Sequence, residues 1–317
     1  MLNDNAIKDY LKNGYTISEP TLDTQSISNI RLMLDEEFGN LQGGNSIPIN
    51  NFKNTDLIKK ILKILSSNQI KTKIENLKKI TNLEVSLLPR FEVHKNYHVN
   101  LKEFHGWHRD CGGELRYKYC ADIIGDKNYL FSKVGIYLQD NSEYGGSIDI
   151  IKKSHKNFSK LKILLRKIKS IPLRLVMFFH KKFNNVYFSI PENFFMFFLN
   201  AKRLFPQKSS AVFFDSRIIH RGSPISKDKL KDVKYFRGKY EAKVPKDKDK
   251  YTIYCQFGSS QSVDSYMYDR LRRGNNSEEL KRWLEEMEFI SKFDIELSNQ
   301  IGKILNPIKN KYKDYLN

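Results

Sequence analysis

The sequence predicts a mainly β domain with flanking helices and a helical insertion. From Val85 onward, short runs rich in Val, Ile, Phe and Tyr alternate with turn residues; they are VSLLPRFEV, LFSKVGIYLQD, GSIDII, SAVFFDSRII and KYTIYCQFG. The chain before Val85 and after Ser277 has helical periodicity instead. Short strands of this kind favour a sandwich or jelly roll, of which the cupin-like double-stranded β-helix is one form.

The N-terminal segment is predicted to run helix, strand, helix. Residues 6–11 form a short helix, and residues 15–17 are extended. Asp23 is an N-cap candidate for a helix that continues to about Phe38, and residues 57–65 form another helix. A C-terminal helical region is predicted over 278–317, with one apolar stripe made by Leu280, Leu284, Met287, Phe289 and Ile290.

Composition and length fit one folded domain over residues 1–317. Of these residues 40% are hydrophobic and 13% aromatic, which is enough to build a core. The apolar runs are much shorter than the roughly 20 residues of a membrane span, and the N-terminus lacks a secretory signal pattern. Three scattered cysteines without a CxxC pair indicate neither a disulfide framework nor a zinc site. We therefore expect a cytoplasmic protein.

The net charge of +19 calls for an explanation. A strongly basic chain can bind nucleic acid, a membrane surface or an anionic substrate. Here lysine outnumbers arginine and is spread over many loops, and none of the usual nucleic-acid modules is present. Nucleic-acid binding is therefore not expected as the main function.

Residues 156–208 form a basic, lid-like insertion between two predicted strands. In KLKILLRKIK, apolar residues fall at helical spacing between lysines and arginines, and Pro172 follows. A helix that packs on the strands with a solvated basic face explains this pattern. A lid for an anionic or lipid-linked substrate explains it too, as does a surface for peripheral contact with an anionic membrane. The sequence leaves these alternatives open.

A metal-binding pattern lies in FHGWHRDCGGE, residues 104–114. His108 and Asp110 are two residues apart, so on an extended chain both side chains project to the same side. A second histidine from elsewhere would complete a facial triad that leaves three positions open on Fe(II). An H-x-D triplet also arises by chance, as a histidine that hydrogen-bonds an aspartate, so the pattern needs context.

His220 is the candidate for the second histidine. The segment AVFFDSRIIHRGSP, residues 211–224, reads as an apolar strand that reaches His220 and then turns at Gly-Ser-Pro. An imidazole at the end of a buried strand is well placed to face a site at the mouth of a sheet. An ordinary strand-end histidine is the alternative. We interpret His94, His98 and His105 as wall or surface residues.

These motifs together resemble the phytanoyl-CoA dioxygenase family of Fe(II)- and 2-oxoglutarate-dependent oxygenases. The opening IKDYLKNGYTI is similar to the family's helix, Gly-Tyr turn and strand, and WHRD at 107–110 is similar to its W-H-x-D metal motif. The segment from Gly145 to Lys156 resembles its G-G…G-S-H-K pattern, with Lys153 where Gly is usual. HRGSP at 220–224 resembles its distal histidine turn, so the resemblance covers most of the chain.

The resemblance implies a metal site and a reaction. His108, Asp110 and His220 would bind Fe(II), with 2-oxoglutarate and O₂ as cosubstrates. The implied reaction is hydroxylation of an aliphatic carbon of a small-molecule or lipid-linked substrate, with 2-oxoglutarate decarboxylated to succinate. Retention of Asp110 argues against the halogenating relatives, which have a small residue there. His155 is interpreted as structural, and Arg221 as a brace for the turn.

The sequence departs from the family at the residue that binds the far carboxylate of 2-oxoglutarate. The family usually has an arginine on the strand after the distal histidine. Alignment on KYTIYCQFG puts Lys250 at that position, and Arg237 is the second candidate for binding this carboxylate. Lysine supplies a point charge without the bidentate fork of arginine. This departure favours the chief rival hypothesis, a catalytically inactive family member that acts as a binding or membrane-associated scaffold protein. The intact His108, Asp110 and His220 set opposes it.

Overall fold

The computed structural model describes residues 4–41, 45–95, 108–111, 123–141, 147–156, 200–223, 233–236, 239–242, 250–272 and 277–316. Helices in these ranges are α1 Asp4–Asn13, α2 Thr24–Phe38, α3 Thr55–Leu65, α4 Asn68–Thr81, α5 Ser260–Arg272, α6 Ser277–Ser291 and α7 Ile295–Lys311. Among them, no helix is long and apolar enough to cross a membrane.

The strands form two antiparallel sheets and a hairpin. Their bounds are β1 Tyr15–Ile17, β2 Ser46–Pro48, β3 Val85–Lys95, β4 Phe131–Tyr137, β5 Ile148–Ile151, β6 Ala201–Leu204, β7 Ala211–Asp215, β8 Ile219–Gly222, β9 Val233–Phe236, β10 Lys239–Ala242 and β11 Tyr251–Ser259. The six-stranded large sheet has the order β1-β7-β4-β11-β3-β2. The small sheet has the order β6-β5-β8, and β9 pairs with β10.

The large sheet is covered on both faces, which follows from the alternation of side chains along a strand. On β7, Phe213 packs into the core that the helices share with the sheet, whereas Val212 and Phe214 pack against the small sheet. Ile148 and Ile150 of β5 are the partners on that second side. The layers are therefore the helices, the large sheet and the small sheet. Polar side chains that lie between the two sheets are candidates for a functional site.

The architecture is mixed helix and antiparallel sheet rather than mainly β. The predicted N-terminal order is confirmed, and Asp23 caps α2 by accepting a hydrogen bond from the Ser26 backbone N–H at 2.8 Å. Residues 201–204 of the predicted insertion form β6, which pairs with β5 and belongs to the small sheet. Residues 157–199, which carry the proposed lid, lie outside the described residues. The cysteine expectation is wrong at Cys111, which is disulfide-bonded.

Lys73 is a buried cation in the helical layer. It lies on the inner side of α4, is 2% exposed, and its Nζ has no hydrogen-bond partner among the described residues. Nζ lies 3.7 Å from the centre of the Phe213 ring, the aromatic face being its one described electrostatic contact. Burial lowers the pKa of Lys73 to about 7. The folded protein therefore disfavours the charged amine.

We expect Lys73→Met to stabilise the protein. The pKa of Lys73 is lower in the folded chain than in the unfolded chain, so the unfolded chain binds more protons between about pH 7 and 10. The free energy of unfolding of the wild type therefore falls as the pH drops through that window. The variant should gain on the order of 2 kcal/mol at pH 7 and less at pH 9.5 in urea unfolding. Lys79→Met, at an exposed position of the same helix, is the control. A variant less stable than wild type at pH 7 would show that the amine has a stabilising partner.

Candidate metal centre

His108 and His220 are brought together by a backbone pairing. The His108 N–H donates to the His220 carbonyl at 2.9 Å, and the His220 N–H donates to the His108 carbonyl at 3.0 Å. This is an antiparallel bridge, and residues directly opposite in such a pair place their side chains on the same face. The two imidazole centres are accordingly 4.3 Å apart.

Asp110 joins the pair from two residues further on. Its backbone N–H donates to the Ser216 carbonyl at 2.9 Å, which holds the chain alongside the turn between β7 and β8. Asp110 Oδ1 is 3.6 Å from His108 Nε2, and Oδ2 is 3.3 Å from His220 Nε2. One ligand atom from each of the three residues lies within 4.8 Å of the others. The predicted ligands His108, Asp110 and His220 are thus assembled in one cluster.

The protonation of the cluster suits a divalent metal. His220 Nδ1 is 3.1 Å from the Ile218 carbonyl, which only accepts, so Nδ1 carries the proton and the Nε2 lone pair faces Asp110. Burial lowers the pKa of His220 to about 4, so the imidazole is neutral at pH 7. Burial raises the pKa of Asp110, but the charges of Lys133 and the two histidines outweigh it and leave that pKa well below its usual range.

A turn at residues 152–155 contacts both of the segments that carry the candidate ligands. Ser154 Oγ accepts from the Ile219 N–H at 2.7 Å, beside His220. Arg109, between the other two ligands, donates through Nη1 to the Ser154 carbonyl at 2.8 Å and also to the Arg217 carbonyl. Lys153 has φ +61°, a left-handed conformation that favours glycine. This explains why the motif it resembles has Gly there.

His155 is a structural residue of the same turn, as predicted from the sequence. Its ring packs against Gly14, where a Cβ would lie only 2.5 Å from Nδ1. Gly14 has φ +86°, and its carbonyl accepts from the Asp215 N–H at 2.9 Å. The N-terminal Gly-Tyr turn and the Ser-His-Lys turn therefore fit each other, and both contact the segments that position the ligands.

Asp149 ties the three strands of the small sheet together. It is fully buried on β5 and forms ion pairs with Arg203 of β6 at 2.8 Å and Arg221 of β8 at 2.9 Å. Ser223 Oγ also donates to Asp149 at 2.8 Å. Arg221 thus braces the strand that carries His220, in agreement with the sequence interpretation.

Lys133 was missed by the sequence analysis. It lies on β4 in the middle of the large sheet, with Nζ 3.2 Å from Asp110 Oδ2. The available signal was a charged residue in the centre of the apolar run LFSKVGIYL, an arrangement that an ordinary buried strand avoids.

Other polar residues extend the same inner face of the large sheet. Glu92 on β3 lies 2.9 Å from His94 Nε2. Burial raises the pKa of Glu92, but His94, Arg90 and Lys133 outweigh it and lower that pKa to about 2. On β11 the buried Tyr254 hydroxyl is hydrogen-bonded to Tyr137.

A bulge in β3 presents Arg90 to this face. The pairing of β3 with β11 shifts around residues 89–91, and Arg90 has φ +90°. Glu286 of α6 is buried and accepts from the backbone N–H groups of Arg90 and Phe91, which stabilises the bulge. Arg90 then lies 3.5 Å from Glu92 and 3.6 Å from Glu279. Bulges beside sites commonly re-aim a side chain in this way.

The structure describes only part of the predicted 2-oxoglutarate site. Lys250 is 2% exposed and immediately precedes β11. Along β11 Tyr251, Ile253, Cys255 and Phe257 pack into the helical core, so the opposite face, with Thr252 and Tyr254, is the inner one. The side chain of the second candidate, Arg237, lies outside the described residues, as do those of His98 and His105.

Comparison with known proteins finds likeness in structure only. No family model matches the chain, and no curated protein matches it. HygX from Streptomyces hygroscopicus, solved with iron bound, is 11% identical at a TM-score of 0.49, covering 82% of this chain and 87% of that one. SnoN from nogalamycin biosynthesis, a non-haem α-ketoglutarate-dependent epimerase, is 10% identical at 0.46, covering 81% and 83%. AviO1 from Streptomyces viridochromogenes is 12% identical at 0.44, covering 82% and 96%.

We expect Gly14→Ala to destabilise the protein through its contact with His155. Alanine at Gly14 would have both an unfavourable positive φ and a Cβ too close to His155 Nδ1. Gly39 also has a positive φ, +46°, but the nearest atom to a Cβ there would be 3.8 Å away. The backbone cost should be about 1 kcal/mol in both variants, and the clash should add about 2 kcal/mol in Gly14→Ala alone. Urea unfolding of the two variants measures the difference. Equal losses would mean that the imidazole moves aside freely.

Proposed function

We propose that this protein is an Fe(II)- and 2-oxoglutarate-dependent dioxygenase that hydroxylates an aliphatic carbon of a small-molecule or lipid-linked substrate. The observation that carries the proposal is the cluster of His108, Asp110 and His220, with one ligand atom from each within 4.8 Å of the others. Two imidazoles and one carboxylate on one face are the donor set of non-haem Fe(II) oxygenases.

We also propose that the two sheets form a double-stranded β-helix of the phytanoyl-CoA dioxygenase type. Both sheets are antiparallel and share a core, and the two histidine segments meet beside β8. The positive φ of Lys153, where the family pattern has Gly, and the fit of Gly14 to His155 support this assignment, since they give two of the matching motifs a physical reason.

The residues of the cluster fit a divalent iron. A neutral His220 with Nε2 unprotonated and an ionised Asp110 are ready ligands, and His108, with a side chain that is 48% exposed, lies on the open side. Bound Fe(II) would activate O₂, which takes two electrons from 2-oxoglutarate and two from R–H and gives succinate, CO₂ and R–OH. The chain's part is to fix the ligands through the Ile218 and Ser216 carbonyls and to limit water on the buried side.

The inner face of the large sheet suits an anionic cosubstrate. Lys133 lies directly beside Asp110, and the phenol of Tyr254 stays protonated because burial raises its pKa to about 12. Cationic and hydroxyl groups on one wall are what a dicarboxylate requires. Gly135 makes room there, since a Cβ would lie 3.0 Å from the Tyr254 ring.

Asp110→Ala and His220→Ala should each abolish Fe(II) retention and succinate formation while leaving a folded protein. The physical reason is that each variant removes one of three ligands, whereas the backbone pairing of His108 with His220 remains. Anaerobic titration with Fe(II) and 2-oxoglutarate, followed by the weak visible charge-transfer band, measures assembly of the site. Asp9→Ala, at an exposed aspartate of α1, is the control. Wild-type succinate production by Asp110→Ala would exclude this triad.

We further propose that Lys250 binds the distal carboxylate of 2-oxoglutarate. Lys250 is buried and precedes the strand whose inner face carries Thr252 and Tyr254, and a lysine there supplies a point charge to a carboxylate. Lys250→Ala should raise the KM for 2-oxoglutarate at least about tenfold with little change in metal affinity, and Lys250→Arg should retain partial function.

The comparison with Arg237→Ala decides between the two candidate residues. Steady-state kinetics with varied 2-oxoglutarate should show a wild-type KM for Arg237→Ala. A large increase in KM for Arg237→Ala, with none for Lys250→Ala, would assign the carboxylate to Arg237 instead.

A further inference from the structure

We propose that Lys133 is a positioning residue that couples the binding of metal to the binding of the anionic cosubstrate. In this role its ammonium weakens the binding of a divalent ion alone. The same ammonium strengthens the binding of that ion once a dicarboxylate is present. The inference rests on the proposed function, because it takes the cluster of His108, Asp110 and His220 as the metal site.

The position of Lys133 carries the argument. Its Nζ is 3.2 Å from Asp110 Oδ2, the oxygen that also faces His220 Nε2 at 3.3 Å. Lys133 belongs to β4, between β7 and β11, and pairs in register with Phe214 and Gln256. The ammonium is therefore held by the centre of the large sheet, next to the candidate ligand atoms.

Among the described residues, Glu92 also interacts electrostatically with Lys133, but Glu92 is shared with His94 at 2.9 Å and with Arg90 at 3.5 Å. Asp110 is thus the shared partner of Lys133 and of any metal ion at the triad. Two cations on one carboxylate repel each other, and the repulsion is strong where solvent access is limited.

A dicarboxylate changes the sign of the effect. It brings two negative charges to a site that already has Lys133 and a divalent ion. The ammonium repels the divalent ion but attracts the new anion, so its net effect on the complex becomes favourable. By linkage, the factor by which the dicarboxylate tightens metal binding equals the factor by which the metal tightens dicarboxylate binding. Lys133 should therefore suppress premature metal binding and strengthen the ternary complex.

The experiment measures Mn(II) affinity of metal-free protein at pH 7.5 by the loss of the free-ion EPR signal, with and without saturating 2-oxoglutarate. Mn(II) occupies sites of this donor type and lets binding be read without turnover. Lys133→Met removes the charge at similar volume, and Lys133→Gln is the second variant in case the first does not fold. Lys202→Met, at an exposed lysine of β6, is the matched control for loss of surface charge.

In the absence of 2-oxoglutarate, Lys133→Met should bind Mn(II) about tenfold more tightly than wild type. With 2-oxoglutarate present, the additional tightening should fall short of that in wild type by more than this gain of about tenfold, so that the variant then binds Mn(II) more weakly than wild type. The control should behave as wild type in both conditions. A residue with a merely structural role would weaken both affinities together, so opposite signs are the signature of coupling.

Two other results would overturn the inference. If Lys133→Met binds Mn(II) alone more weakly than wild type, the ammonium only holds Asp110 in place. If both affinities are unchanged, the ion pair has no role in assembly. Failure of the proposed function looks different: wild type and Asp110→Ala would then bind Mn(II) equally, whatever the Lys133 variants do.

Discussion

The reciprocal hydrogen bonds between His108 and His220 are the constraint on which the candidate site depends. They join a short segment outside the named strands to β8, and they place two imidazoles on the same face. Asp110 then reaches the same point because side chains two residues apart on extended chain project to one side. A backbone pairing is less sensitive to side-chain replacement than a side-chain contact is. The geometry of the candidate metal centre is therefore set mainly by the fold.

The surrounding contacts hold the two paired segments in place. The Ser216 carbonyl receives the Asp110 N–H, and Ser154 contacts both Arg109 and Ile219. The N-terminal turn supports these segments in turn, through the Gly14 carbonyl and the contact of Gly14 with His155. Motifs that are far apart in the sequence thus converge on one candidate site, since Gly14 precedes His108 by more than ninety residues.

The sequence predicts those parts that local chemistry determines. The cap at Asp23, the helix end near Gly14 and the longer strands follow from capping, turn residues and alternation. β6 was missed because it lacks the apolar pattern of a buried strand. Its residue Arg203 instead forms an ion pair with Asp149. α4 was missed because Lys73 interrupts the apolar face formed by its buried residues Ile70, Ile74 and Leu77. In both cases tertiary contacts, rather than propensity, decide the structure.

Two lysines, the buried Lys73 and the half-buried Lys133, show how the neighbours of a basic residue decide its effect. Among the described residues, Lys73 has only an aromatic face beside its amine, so its burial costs stability. Lys133 has a carboxylate at 3.2 Å and pairs with it at the site. Both lysines interrupt apolar patterns in the sequence. The fold distinguishes them from the rest of the 55 Lys and Arg residues, because it shows which groups lie next to each amine. Lys133 lies inside a sheet and interacts at short range with the candidate ligand Asp110, whereas charges on the surface are screened within about 8 Å by salt.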